Sequence, residues 1–294
     1  MDRNSPPGCC ETAESSLEAT KSFISYFDTL APPPSGQPPL VQPIITPRFA
    51  LSCTGPLLNS LGELAASRTP SIAIQTHLSE NSKEIESTLK EFPDCGLYTE
   101  VYDKAGLVGE GTILAHCVHL EQKEMKILRD KKAGVSHCPV SNMNLNSGVA
   151  EVRKLLDMKI KVSTSCLSGV FADHQVGLGT DCSGSYAMGI LPTLRLASTL
   201  SRFKSYQDPS CSPLSIAELF YLATLGGASL CRLQDRIGSF EVGKEFDALW
   251  VKGQSIGMWN EPGEEWVKTF ERWIWCGDDR DIQSVWVRGR RVVG

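Results

Sequence analysis

The sequence predicts an α/β protein built on a parallel sheet with helical crossovers, and three observations carry that prediction. Short apolar runs alternate with amphipathic stretches at a regular size along most of the chain. Several of those runs end in a histidine or an acid. After about residue 230 the pattern gives way to short strands and turns.

Taken in order, residues 11–30 read as an amphipathic helix, with Leu17, Ile24, Phe27 and Leu30 near one face. The proline-rich stretch 32–39 ends it and acts as a stiff connector. Val41–Leu51 is strand-like and Ser60–Ser67 helical; Ser71–Thr76 is a strand and Ser82–Phe92 a helix. The alternation continues with strand Thr112–Ala115, helix Glu121–Lys132, strand Gly134–His137 and helix Val149–Met158. Ile160–Val162 and Val176–Thr180 read as strands, Met188–Ser201 and Leu214–Leu230 as helices. Ile237–Gly243, Phe246–Val251 and Val285–Val293 then suggest a small β appendage. The expected organisation is an N-terminal helix and connector (1–40), a strand–helix body (41–230) and the appendage (231–294).

Composition narrows the class. A 294-residue chain with 41% apolar and 21% charged residues is ordinary for a globular protein. A formal net charge of -5 offers no electrostatic footprint for nucleic acid. No apolar run suits a bilayer span and no signal-peptide core follows Met1, so neither membrane nor nucleic acid is expected as a partner. The 11 cysteines are scattered and never spaced Cys-x-x-Cys, which fits reduced thiols in the cytoplasm.

The chemistry-bearing residues stand at strand tips. In Ile72–Glu80 an apolar run ends in His77, with Glu80 three residues later. A neutral imidazole there can ligate zinc, and a nearby carboxylate can reach a metal-bound water. Glu80 reads equally as helix-start chemistry, since Ser79-Glu80-Asn81-Ser82 resembles a cap. Asp181, after Gly177-Leu178-Gly179-Thr180, suits a metal ligand or a capping acid. His116 suits a site role and a structural one evenly, His119 reads as a loop residue, and His137 as a hydrogen-bonded structural histidine. Arg48-Phe49 could read and pack a planar heterocycle, or could be a surface arginine beside a core phenylalanine. All of these except His119 fall at or near the carboxyl ends of successive expected strands, which in a barrel converge on one mouth.

Several motifs resemble those of guanine deaminases of the amidohydrolase superfamily. They are Thr46-Pro47-Arg48-Phe49-Ala50, Gln75-Thr76-His77-Leu78-Ser79-Glu80-Asn81, Leu114-Ala115-His116, His137-Cys138-Pro139-Val140-Ser141-Asn142 and Gly177-Leu178-Gly179-Thr180-Asp181. The resemblance implies an incomplete TIM (β/α)8 barrel holding strands four to eight, one zinc ion (Zn2+), guanine as substrate and a homodimer. It implies His77 and Asp181 as metal ligands, Glu80 as proton carrier, His116 and Asp181 acting on the attacking water, and Arg48, Phe49, His77 and Glu80 around the purine. The family draws two further metal ligands from a His-x-His, and none of the histidines 77, 116, 119, 137 and 174 is so spaced. Two other roles therefore stand beside the first: an inactive deaminase-like binding protein, and a hydrolase for another aminated heterocycle. The resemblance places the missing strands before Met1, as in a truncated gene product. It also marks 162–175 as an interruption before Val176, consistent with a retained intron or a long loop.

Overall fold

The computed structural model describes residues 1–30, 38–158, 175–253, 255–259 and 261–294. Five strands, β1 (Ile44–Ile45), β2 (Ala73–Leu78), β3 (Thr112–His116), β4 (Gly134–His137) and β5 (Val176–Leu178), form one parallel sheet in sequence order. The helices between them are α1 (Ala13–Thr29, before β1), α2 (Gly55–Ala66), α3 (Ser82–Glu91), α4 (Tyr98–Lys104), α5 (Gln122–Lys131), α6 (Pro139–Asn144) and α7 (Val152–Asp157). After β5 come α8 (Ile190–Gln207), α9 (Ile216–Ala223) and α10 (Leu225–Leu230). A second, antiparallel sheet comprises β6 (Ala248–Val251), β7 (Ile282–Val287) and β8 (Arg290–Val293), with α11 (Trp266–Cys276) between its first two strands. The α/β class with crossover helices is as expected. Among the described residues the parallel sheet does not close: β1 and β5 are its two edges.

Strand alternation decides which side chains reach the helices. In β2, Ile74, Thr76 and Leu78 are buried while Ala73, Gln75 and His77 are more open. In β3, Thr112, Leu114 and His116 are buried with Ile113 and Ala115 partly open. Residues i and i+2 share a face, so one face of each strand joins a core completed by Leu57, Leu58, Val101, Leu107, Leu128, Leu155 and Leu194. No helix among the described residues is long and apolar enough to cross a membrane. The described cysteines are all free.

Several boundaries differ from expectation for identifiable reasons. The Val41–Leu51 strand shrinks to β1, because Pro43 and Pro47 bracket it and a 3-10 turn takes Ala50–Ser52. The helix expected from Ser60 begins at Gly55, with Thr54 as N-cap and proline in the first turn. Leu214–Leu230 breaks into α9 and α10 at Thr224, whose φ of -126° and ψ of -94° are not helical. The run Val285–Val293 is a hairpin turned by Arg288 (φ 51°) and Gly289 (φ 73°), the two positive φ values of a tight β-turn. Ile237–Gly243 forms no strand. The expected strand Ile160–Val162 and most of the 162–175 interruption, with His174, lie outside the described residues.

Leu114 sits fully buried in the centre of the sheet. Leu114→Ala should cost about 2–5 kcal/mol of unfolding free energy, read as a lower midpoint in urea or thermal denaturation; an unchanged midpoint would place that strand outside the core.

Candidate active site

The site grows from the carboxyl ends of β1, β2, β3 and β5. β2 and β3 pair in register, so His77 lies opposite Ala115 and Leu78 opposite His116. Simple alternation would send His116 to the helix-facing side with Leu114. Its backbone instead turns left-handed, with φ 71°, and its ring stacks on that of His77 at 4.9 Å between centroids and 20° between planes. Asp181 (φ 46°) and Ser79 (φ 49°) depart from strand geometry in the same sense. A left-handed non-glycine residue costs about 1–2 kcal/mol, and here it re-aims side chains at the mouth.

Each imidazole is held by its Nδ1. His77 Nδ1 lies 2.5 Å from the Arg48 carbonyl, which also accepts the His77 backbone N–H. His116 Nδ1 is 2.8 Å from Asn142 Oδ1. Both acceptors require Nδ1 to carry the proton, leaving each Nε2 with a free lone pair. His116 is wholly buried, and its Nε2 has no hydrogen-bond partner among the described residues.

Ligand atoms of His77, His116 and Asp181 all lie within 4.8 Å of one another, so these three could hold a metal ion. The donor set of two imidazole nitrogens and a carboxylate oxygen suits zinc. The unpartnered Nε2 of His116 is the kind of buried donor that a metal or a polar ligand satisfies. Second contacts to the other ring nitrogen, as Arg48 and Asn142 supply, are what orient metal-ligating histidines.

Glu80 stands beside this group. Its Oε2 is 3.8 Å from His116 Nε2, and its Oε1 accepts a hydrogen bond from the Ser147 hydroxyl at 2.9 Å. The capping role left open by the sequence falls to other residues. Asn81 is the N-cap of α3, and Glu84 closes the capping box while also accepting the Glu80 backbone N–H at 3.0 Å. Asp181 caps nothing either, since α8 begins only after Gly189. Gly179 is needed just before it, because a Cβ there would press on Ser136 Oγ at 2.5 Å and Cys138 Sγ at 2.9 Å.

Behind the mouth runs a buried polar network. The Tyr98 hydroxyl donates to Glu84 Oε1 at 2.7 Å, and the Tyr102 hydroxyl donates to the His77 carbonyl at 2.8 Å. Arg48 and Phe49 flank the site at the end of β1. The guanidinium carbon lies 5.5 Å from the Phe49 ring centre, and that ring meets His77 edge-on at 6.4 Å. His137 is not part of the group. It is 2% exposed, its Nδ1 lacks a partner among the described residues, and it lines a small cavity with Ala150, Ala197 and Leu214. The sequence predicts a hydrogen-bonded structural histidine here, whereas Nδ1 has no partner among the described residues. His119 is a loop residue whose Nε2 lies 2.7 Å from the Ser147 carbonyl. Sequence reading gave no role to Asn142, Ser147 or Glu84; the first two bond to residues far along the chain, whereas Glu84 closes a local capping box with Asn81.

A parallel sheet whose strand tips gather histidines and an acid is the arrangement of a metal-dependent barrel hydrolase. The chain belongs to the amidohydrolase family, whose profile matches residues 35–292. It is 45% identical over 302 residues to a probable guanine deaminase of Schizosaccharomyces pombe, covering 100% of this chain and 53% of that protein. It is 40% identical to the guanine deaminase of Dictyostelium discoideum, over 99% of this chain and 60% of the relative. The crystal structure of guanine deaminase from C. acetobutylicum with bound guanine superposes with a TM-score of 0.85 at 32% identity, covering 99% of this chain and 63% of that one. The chain therefore spans 53–63% of the length of these relatives.

Burial, and secondarily the nearby His116 ring, pulls the His137 pKa down to about 4, below the value near 6.5 of an unfolded histidine. The unfolded chain then binds the extra proton between those values, so stability is full above pH 6.5 and falls as pH drops toward 4. The loss should approach about 3 kcal/mol. Urea titrations at pH 7 and pH 4.5 should show a smaller difference for His137→Leu than for the parent; equal differences would mean that the imidazole is not buried neutral.

Proposed function

We propose that the chain carries part of the active site of a zinc-dependent guanine deaminase, which hydrolyses guanine to xanthine and ammonia, without the His-x-His pair that completes the family's metal site. The observation that supports this most is the meeting of His77, His116 and Asp181, with Glu80 beside them, in a chain aligned end to end with guanine deaminases.

In this reading His77 Nε2 and an Asp181 oxygen would supply two of the metal's ligands, their orientation set by the Arg48 carbonyl and the turn at Asp181, while the family's His-x-His pair has no counterpart in this sequence. A bound zinc ion would supply Lewis acidity, making a water molecule nucleophilic near neutral pH. His116, its Nδ1 proton committed to Asn142, offers its Nε2 lone pair to a water proton and so orients the oxygen for attack. Glu80 Oε2 takes a proton from the attacking water and gives it to the ring nitrogen beside the amino-bearing carbon. That carbon becomes tetrahedral, the C–N bond to the amino group breaks, and ammonia departs with the remaining proton. Arg48 reads the purine's polar edge while Phe49 packs on its face.

The zinc-supplied 294-residue chain should release xanthine and ammonia from guanine, followed by absorbance change and ammonia assay. Glu80→Gln should lower kcat by about 10²–10⁴-fold with little change in KM, and His77→Ala should reduce the zinc retained on dialysis. Tight zinc binding without any guanine turnover would overturn the catalytic reading, and turnover of a different aminated heterocycle would redirect it.

A further inference from the structure

We infer that Ser147 is a positioning residue for Glu80, and that His119 holds Ser147 in place. The inference rests on the reading of Glu80 as proton carrier, but its geometry is independent of the substrate.

All three polar groups of Ser147 are engaged, and the residue is 5% exposed. Its backbone N–H donates to the Asn142 carbonyl at 2.7 Å. Its carbonyl accepts from His119 Nε2 at 2.7 Å, and its hydroxyl donates to Glu80 Oε1 at 2.9 Å. The backbone around it is bent to allow this: Asn146 has φ 57° and Gly148 φ 124°. At Gly148 the φ of 124° favours glycine and a Cβ would crowd Val118 Cγ1 at 3.0 Å, with the His119 ring in ordinary contact at 3.5 Å. The backbone N–H of His119 donates to the Ser79 carbonyl at 3.1 Å, tying the brace to the same loop that carries Glu80.

The consequence is a fixed orientation. A glutamate side chain has three rotatable bonds and would sample several rotamers at a partly open mouth. Pinning Oε1 leaves Oε2 as the oxygen that faces His116 Nε2. The same turn end of α6 thereby serves both groups: the Asn142 side chain fixes the His116 tautomer, and the Asn142 carbonyl anchors Ser147. Neither Ser147 nor His119 touches the substrate in this arrangement, so both act through Glu80.

Crystal structures and guanine kinetics of the chain bearing Ser147→Ala, Ser147→Thr and His119→Ala test this. In Ser147→Ala the Glu80 carboxylate should leave its place beside His116, kcat should fall roughly tenfold or more, and KM should stay within about twofold. Ser147→Thr, which keeps the hydroxyl, should restore both the position and the rate. His119→Ala alters an exposed side chain, folds irrespective of the serine, and should shift Glu80 in the same direction by a smaller amount. Glu80 unmoved in both alanine variants would overturn the inference, as would a rate loss that threonine does not rescue. If the parent chain turns over no guanine, the deaminase reading fails, while the position of Glu80 in the variants still decides the role of Ser147.

Discussion

The pairing register of β2 against β3 is the constraint on which the site depends. With Leu78 opposite His116, the two imidazoles arrive at adjacent levels of the same mouth. A slip of one residue would exchange the faces of every side chain on a strand. His77 would then point into the helix layer, and Leu78 would face the open side. The register is held because Ile74, Thr76 and Leu78 on one strand, and Thr112 and Leu114 on the other, are buried beneath the same helices. The placement of these tip residues is thus inherited from core packing, and their own interactions contribute little to choosing it.

On that frame, backbone carbonyls and side-chain amides do the fine orientation. The Arg48 carbonyl and Asn142 Oδ1 each occupy one Nδ1 proton, so neither imidazole needs a charged partner to choose its tautomer. Behind them, Glu84 is a largely buried carboxylate whose desolvation would be costly if unpaired. It accepts from the Tyr98 hydroxyl and from the backbone N–H groups of Glu80, Asn81 and, through the Asn81 cap, is built into the start of α3. The loop between His77 and α3 is therefore rigid on its inner side. Its outer side is braced from α6.

The sequence made the parallel α/β frame legible because apolar runs and amphipathic stretches differ in period, and strand tips could be read where such a run met a polar residue. His77, His116 and Asp181 stood out on that basis. What stayed hidden has a common cause. α4 is a short helix rich in Tyr98, Val101 and Tyr102, residues that favour strands; it forms because both tyrosines bury completely and stack at 5.6 Å. α6 begins at a proline directly after β4, and the local signal reads as a turn. α11 has Trp266, Phe270, Trp273 and Ile274 at helical spacing, but it interrupts a β-like texture. Asn142 and Ser147 were unreadable for a different reason: their partners His116 and Glu80 lie 26 and 67 residues away, and nothing local encodes such contacts.

Departures from local rules occur at several places in the fold, and some of them lie at this mouth. Ser79, His116 and Asp181 adopt left-handed backbone without being glycine. The buried atoms Ser79 Oγ, His116 Nε2, Ser141 Oγ and Asn142 Nδ2 have no partner among the described residues. Each such group costs about 1–3 kcal/mol when it stays unsatisfied, and each strained residue a comparable amount. Those at the mouth do not serve stability, because apolar residues at the same positions would pack at lower free energy. A polar ligand entering the mouth would offset part of that cost. The strain and the unpaired atoms at these tips coincide with the His77, His116 and Asp181 group, and a polar ligand there would satisfy several of them.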